Sequence, residues 1–162
     1  MARDAHDRED LLRDARGLSP RVELAVGRGS EAFTLFAGFR GESLSLYFGQ
    51  DRVYHFSDRG ELRRAYLDDV LIKAERGRLV AMSRERSASE VSLVSRELSA
   101  EEAAALLDEL KGRLRALSEK LAAEAYELVG EEPRGSEAIG RLLGWLRARD
   151  DGIRIATSPR IG

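Results

Sequence analysis

Two observations predict an α+β fold for this chain. Turn signals recur at short, even spacing over residues 21–98, and after them the apolar period changes from two to between three and four. The expected architecture is an eight-strand antiparallel β-meander, a curved sheet or half-barrel, packed on a long C-terminal α-helix with a second short helix. A chain of 162 residues buries enough surface to build one such core without staples, and it contains no cysteine.

The strands follow from the punctuation. The segments "GRGS" (27–30), "RGE" (40–42), "GQD" (49–51), "DRG" (58–60), "DD" (68–69), "RG" (76–77) and "SAS" (87–89) are turn formers. Between them lie β-rich runs: "RVELAV", "AFTLFAGF", "SLSLYFG", "RVYHFS", "ELRRAYL", "VLIKAE", "RLVAMSRER" and "EVSLVSREL". The echo of "DRGEL" (58–62) in "ERGRL" (75–79) is then a hairpin corner met twice. The long helix is expected over 99–130: Ser99 and Glu102 have capping-box spacing, and Leu106, Leu107, Leu110, Leu114, Leu117, Leu121 and Leu128 form its stripe. The short helix is expected over 136–150. These elements make a single domain over 21–150, between a polar N-terminal segment (1–20) with a possible short helix and a C-terminal tail (151–162).

Closing each hairpin at its turn sets a register. It puts Leu46 opposite Leu35, Phe48 opposite Val53, Arg63 opposite His55, Ala65 opposite Ile72, and Ala74 opposite Leu79. One face then carries Phe33, Leu35, Ala37, Leu44, Leu46, Phe48, Val53, Ala65, Leu67, Val70, Ile72, Ala74, Leu79 and Ala81, the surface for the helix to cover. The other face carries a row of Thr34, Tyr47, Tyr54, Arg64, Lys73 and Val80, with Phe56, Leu62 and Tyr66 beside it. Arg64 opposite Lys73 is a like-charge pair, unfavourable in a sheet unless an anion offsets it. Tyr47, Tyr54, Arg64, Tyr66 and Lys73 are therefore the candidate ligand-binding residues. If the sheet curls, a carboxylate or phosphate fits between the two cations; otherwise the row is an ordinary solvated face.

Other chemistry is scarce. The sequence holds no phosphate-binding loop, dinucleotide glycine pattern, zinc spacing or Gly-x-Ser-x-Gly elbow. His55 is expected on the core side beside Arg63, a structural histidine whose pKa the guanidinium lowers. Asp68 and Asp69 read as turn formers. No catalytic residue, metal site or cofactor is assigned, and enzymatic activity is not the expectation.

Net charge is −2, distributed unevenly: residues 59–86 hold eight cations against five anions, and residues 97–132 four against ten. Arginine outnumbers lysine 24 to 3. The polar start has no apolar core of a secretory signal, and no run is long enough to span a membrane, so a soluble cytoplasmic protein is expected. The functional expectation is a non-catalytic binding or interaction module for a small anionic ligand. The alternatives are a partner-binding protein or homodimer acting through the long helix, and nucleic-acid contact through the Tyr/Arg/Lys face. The strand and helix layout is similar to that of lipocalin-like barrels, but the first strand lacks their Gly-x-Trp; the only tryptophan is Trp145.

Overall fold

The structure, a computed structural model, describes residue 18 and residues 21–27, 32–49, 52–68, 70–86, 89–129, 135–149 and 152–157. The N-terminal segment 1–17, where a short helix is expected, lies outside the described residues.

All eight expected strands form: β1 (Arg21–Val26), β2 (Phe33–Arg40), β3 (Ser43–Phe48), β4 (Arg52–Phe56), β5 (Glu61–Leu67), β6 (Val70–Glu75), β7 (Arg78–Arg86) and β8 (Val91–Glu97). They pair in chain order, each antiparallel to the next. The β6–β7 corner shows why: Arg76 (φ 53°) and Gly77 (φ 83°) both take the left-handed conformation of a two-residue hairpin turn, which matches strand twist.

Among the described residues, two short strands complete a ten-stranded open sheet. Helix α1 (Ala100–Ala122) is capped as its sequence requires, with Ser99 Oγ accepting from Glu102 N at 3.1 Å and the Glu102 carboxylate accepting from Ser99 N at 3.0 Å. It ends at Ala122, well before residue 130. Glu124 adopts φ 56°, Ala125 N donates to Lys120 O at 2.9 Å, and Glu124 N donates to Leu121 O at 3.2 Å, which closes the helix in a Schellman motif. The chain that follows, β9 (Tyr126–Leu128), adds to the free edge of β1, so Leu128 belongs to a strand and not to the leucine stripe. Helix α2 (Gly135–Ala148) leads to β10 (Arg154–Ile155), which lies parallel to β5. The expected tail thus enters the sheet, with Ile153 and Ala156 buried in the core. It occupies a gap: β6 pairs with β5 only as far as Lys73, and β10 continues the ladder along Glu61 and Leu62.

Both helices cover one face. Leu110, Leu114, Leu117 and Leu121 of α1 and Ala138, Ile139, Leu142, Trp145 and Leu146 of α2 join the main core. Arg113 of α1 lies over the Phe48 ring, while Trp145 of α2 meets Phe56 at 5.4 Å and Arg141 stacks over Phe39 at 4.2 Å. The helices therefore cross opposite ends of the strands. Arg141 donates to Gly41 O and Arg149 to Asp58 O, so α2 pins the β2–β3 and β4–β5 turns. No helix among the described residues is long and apolar enough to cross a membrane.

The register agrees with the turn-based expectation across β5, β6 and β7, including Ala65↔Ile72, Arg64↔Lys73 and Ala74↔Leu79. It departs in β3 and β4. Leu46 faces Ala37 and Tyr54, not Leu35 and His55. The β2–β3 shift is two residues and preserves the faces, whereas the β3–β4 shift is one and exchanges them. Tyr54 and Phe56 consequently enter the main core, and Val53 leaves it.

Candidate functional site

The one-residue shift at β4 is absorbed in β5. Between His55↔Arg64 and Phe56↔Leu62 the register slips, so Arg63 is an extra residue, a β-bulge. The bulge explains how Leu62 and Ala65 both reach the core although their spacing puts them on opposite faces of a regular strand. It also overturns the expectation that Arg63 points to the core side and Arg64 away from it: both line one cavity on the outer face.

The outer row that the strands build is Gly38, Ser45, His55, Arg64, Lys73 and Val80, each paired with the next. Arg64, Lys73 and Val80 stand where the sequence places them. Tyr54 does not: it is 2% exposed within the core, with Phe48 at 5.9 Å and Phe56 at 6.5 Å, so it shares no face with Arg64. Burial pushes its phenol pKa up, against the nearby Arg52 and Arg113. Tyr47 and Tyr66 remain on the outer face and approach His55 edge-on at 6.2 and 6.3 Å. Lys73 does not line the cavity.

A second, smaller apolar cluster keeps this face from being a flat solvated surface. Leu18, Tyr47 and Val53 are buried there, with Phe36 and Tyr66 packed against them. Gly38 is what admits Leu18: a Cβ on residue 38 would stand 2.6 Å from the Leu18 Cβ. Val53, apolar yet off the main core, is therefore still fully buried.

Beside this cluster opens a cavity of about 570 Å³, the size of a small-molecule site. Its walls include Leu18, Tyr47, Ser43, Ser45 and His55 together with Arg40, Arg63 and Arg64; Glu42 and Asp58 come from the two turns held by α2. The Glu42 carboxylate is 3.8 Å from Arg141, which draws it toward α2. Ser45 Oγ is 2.7 Å from His55 Nδ1, while His55 Nε2 is buried with no hydrogen-bond partner among the described residues. Burial lowers the His55 pKa to about 4, assisted by the positive charges of Arg64 and Arg40. The imidazole is neutral at pH 7.

The Ser45–His55 pair has the composition of a nucleophile and base, but Nε2 has no orienting acid and the ring is a weak base at neutral pH. What the arrangement can do is receive negative charge: three arginines frame a recess with one apolar wall and hydroxyl and imidazole groups at its floor. Among the described residues no cluster of His, Cys, Asp or Glu could hold a metal ion. Sequence reasoning missed His55 and Arg63 because its register put them on the core side, and it gave no role to Arg40, a turn residue, or to Ser45. The usable signal was Gly38 within a β-rich run, since an interior strand glycine marks a close approach or a bulge. No protein-family model, curated protein or solved structure matches the chain.

Proposed function

We propose that the protein binds a small amphipathic anion, a carboxylate or phosphate with a short apolar body, in the outer-face cavity. The observation that carries this reading is the gathering of Arg40, Arg63 and Arg64 around a half-buried neutral histidine, with Arg40 and Arg64 both lowering its basicity. Three cations gathered in one recess outnumber the two carboxylates, Glu42 and Asp58, that share its lining, and a bound anion adds to the offset of their mutual repulsion.

In this reading the arginines hold the anionic head, Leu18 and Tyr47 contact the body, and Ser45 Oγ–H donates to His55 Nδ1. The ring proton then resides on Nε2, which is buried and takes no part in holding the anion. The edge-on packing of Tyr47 and Tyr66 against His55 leaves their rings engaged, which favours a small ligand over stacked bases.

Thermal unfolding in a series of phosphate and short-chain to medium-chain carboxylates tests the proposal. A ligand that binds only the folded state raises Tm in proportion to the logarithm of its concentration over Kd. The shift is expected in the wild type and absent in the Arg63→Met/Arg64→Met variant. An equal shift in that variant would place the anion elsewhere, and no shift from any member of the series overturns the reading.

A further inference from the structure

The two edges of the sheet differ in how they are finished. The β1 edge is covered by β9, whereas among the described residues β8 has no neighbour beyond it. Leu98 N donates to Leu79 O at 2.8 Å, which makes Leu98 and Leu79 a hydrogen-bonded pair of the antiparallel ladder. Alternation then turns the N–H and C=O groups of residues 92, 94 and 96 toward β7, and those of Val91, Leu93, Ser95 and Glu97 toward the open edge. The same four residues put their side chains on the outer face, where Val91 is 55% and Leu93 67% exposed.

Natural sheets blunt such an edge with lysine, proline, a bulge or a covering element. From Val91 to Val94 β8 carries none of the first two, and its pairing with β7 runs without a register shift. The β7–β8 hairpin also extends past β6, whose ladder with β7 stops at Leu71↔Met82. Among the described residues, β7 and β8 beyond that point pair only with each other.

We propose that β8 is a homodimerisation edge, two copies pairing it antiparallel about a two-fold axis at Leu93 to join two sheets into one. That register satisfies the open N–H and C=O groups in hydrogen-bonded pairs, Leu93 with Leu93 of the second copy and Val91 with Ser95. It stacks the two exposed leucines on the outer face and sets Glu90 opposite Arg96 of the other copy. Arg96 remains 60% exposed while it bonds Glu102, so it can accept a second carboxylate. Moving the axis one residue to Val94 loses this complementarity, setting Leu93 against Ser95, Val91 against Glu97, and Ser92 against Arg96. The exposed positions of α1, by contrast, are alanine, glycine, aspartate, glutamate, arginine and their like, with its buried leucines turned to the core, so the helix offers no comparable apolar surface. A junction of two strands buries less than a standard interface, which makes a concentration-dependent dimer the expected state.

Sedimentation velocity across the micromolar to millimolar range, with single-cysteine cross-linking of the full chain, tests this. The wild type is expected to shift from monomer to dimer with rising concentration. Leu93→Pro removes an N–H that β7 does not use, and is expected to stay monomeric with an unchanged far-ultraviolet spectrum. Because the chain has no cysteine, Leu93→Cys reports position directly: hydrogen-bonded partners lie about 5.5 Å apart at Cα, within disulfide range, so oxidation should yield a covalent dimer. Val94→Cys should not cross-link. A wild type that stays monomeric throughout, a dimer that survives Leu93→Pro, or cross-linking through Val94→Cys in place of Leu93→Cys overturns the proposal.

Discussion

The β5–β7 half of the sheet and the β3–β5 half are built from the same kind of sequence, yet they treat their outer faces differently. In β5–β7 each hairpin closes where its turn residues say, the two ladders run without a register shift, and the outer row through Lys73 and Val80 does not enter the cavity. In β3–β5 a one-residue register change and a compensating bulge bury Val53 and half-bury His55 on the outer side and turn two successive arginines toward one cavity. A regular ladder distributes side chains evenly between faces, whereas a bulge concentrates them. The candidate site sits where the ladder is irregular.

The largest expected effect separates Tyr54 from Lys73, which the sequence places in one row and the structure places on two faces. Tyr54→Ala is expected to cost about 3 kcal/mol or more in urea denaturation, the range of a buried aromatic, and Lys73→Ala about 0.5 kcal/mol or less. Equal small costs would restore the turn-based register of β4.

Next comes pH. The His55 pKa falls from its usual 6.5 to about 4 on folding, so between these values the unfolded chain binds a proton that the folded chain does not. Stability should therefore be fully present above pH 6.5 and decline as pH drops toward 4, by at most about 3 kcal/mol from this group. Denaturation midpoints of His55→Gln should show a flatter profile over the same window; an unchanged slope would assign the pH dependence to other groups. Glu102, held down to about 2 by the Arg96 guanidinium and the Ser99 N–H, titrates below that window.

A further small effect on stability sharpens the comparison most. Deleting Arg63 makes β5 regular while leaving Leu62 in the core and Arg64 outside, because the deleted residue is the extra one. Stability is expected to change by about 1 kcal/mol or less, while the anion-dependent Tm shift falls. A deletion that unfolds the chain would show that the bulge is needed to seat β10 on Glu61 and Leu62.

Several features were legible without coordinates. The eight strands and their order follow from turn residues and alternation, and the start of α1 from Ser99 and Glu102. The inner face was misread only around β4 and the start of β5, where Val53, His55 and Arg63 were put inside and Tyr54, Phe56 and Leu62 outside, because the register mistakes at the β3–β4 and β4–β5 turns are one residue each and cancel by Ala65. Of the five candidate ligand residues, Tyr47 and Arg64 line the cavity, Tyr66 packs on the cluster beside it, Lys73 lies outside it, and Tyr54 is core.

Local signals determined the strands, the hairpin corners and the helix cap, since each depends on backbone preferences and side chains a few residues apart. The helix end at Glu124 escaped them because a glutamate in the left-handed C-terminal position carries no glycine signature. Only tertiary structure decided which side of β4 faces the helices. Val53 and His55 alternate with Tyr54 and Phe56, and either pair is apolar enough to be inside. The choice went to the pair that fills the space beneath Trp145 and Ala65, and Arg63 was displaced to accommodate it. The recruitment of β10 has the same origin: residues 152–157 are too few to form a strand alone, and they become one because β6 leaves the end of β5 uncovered.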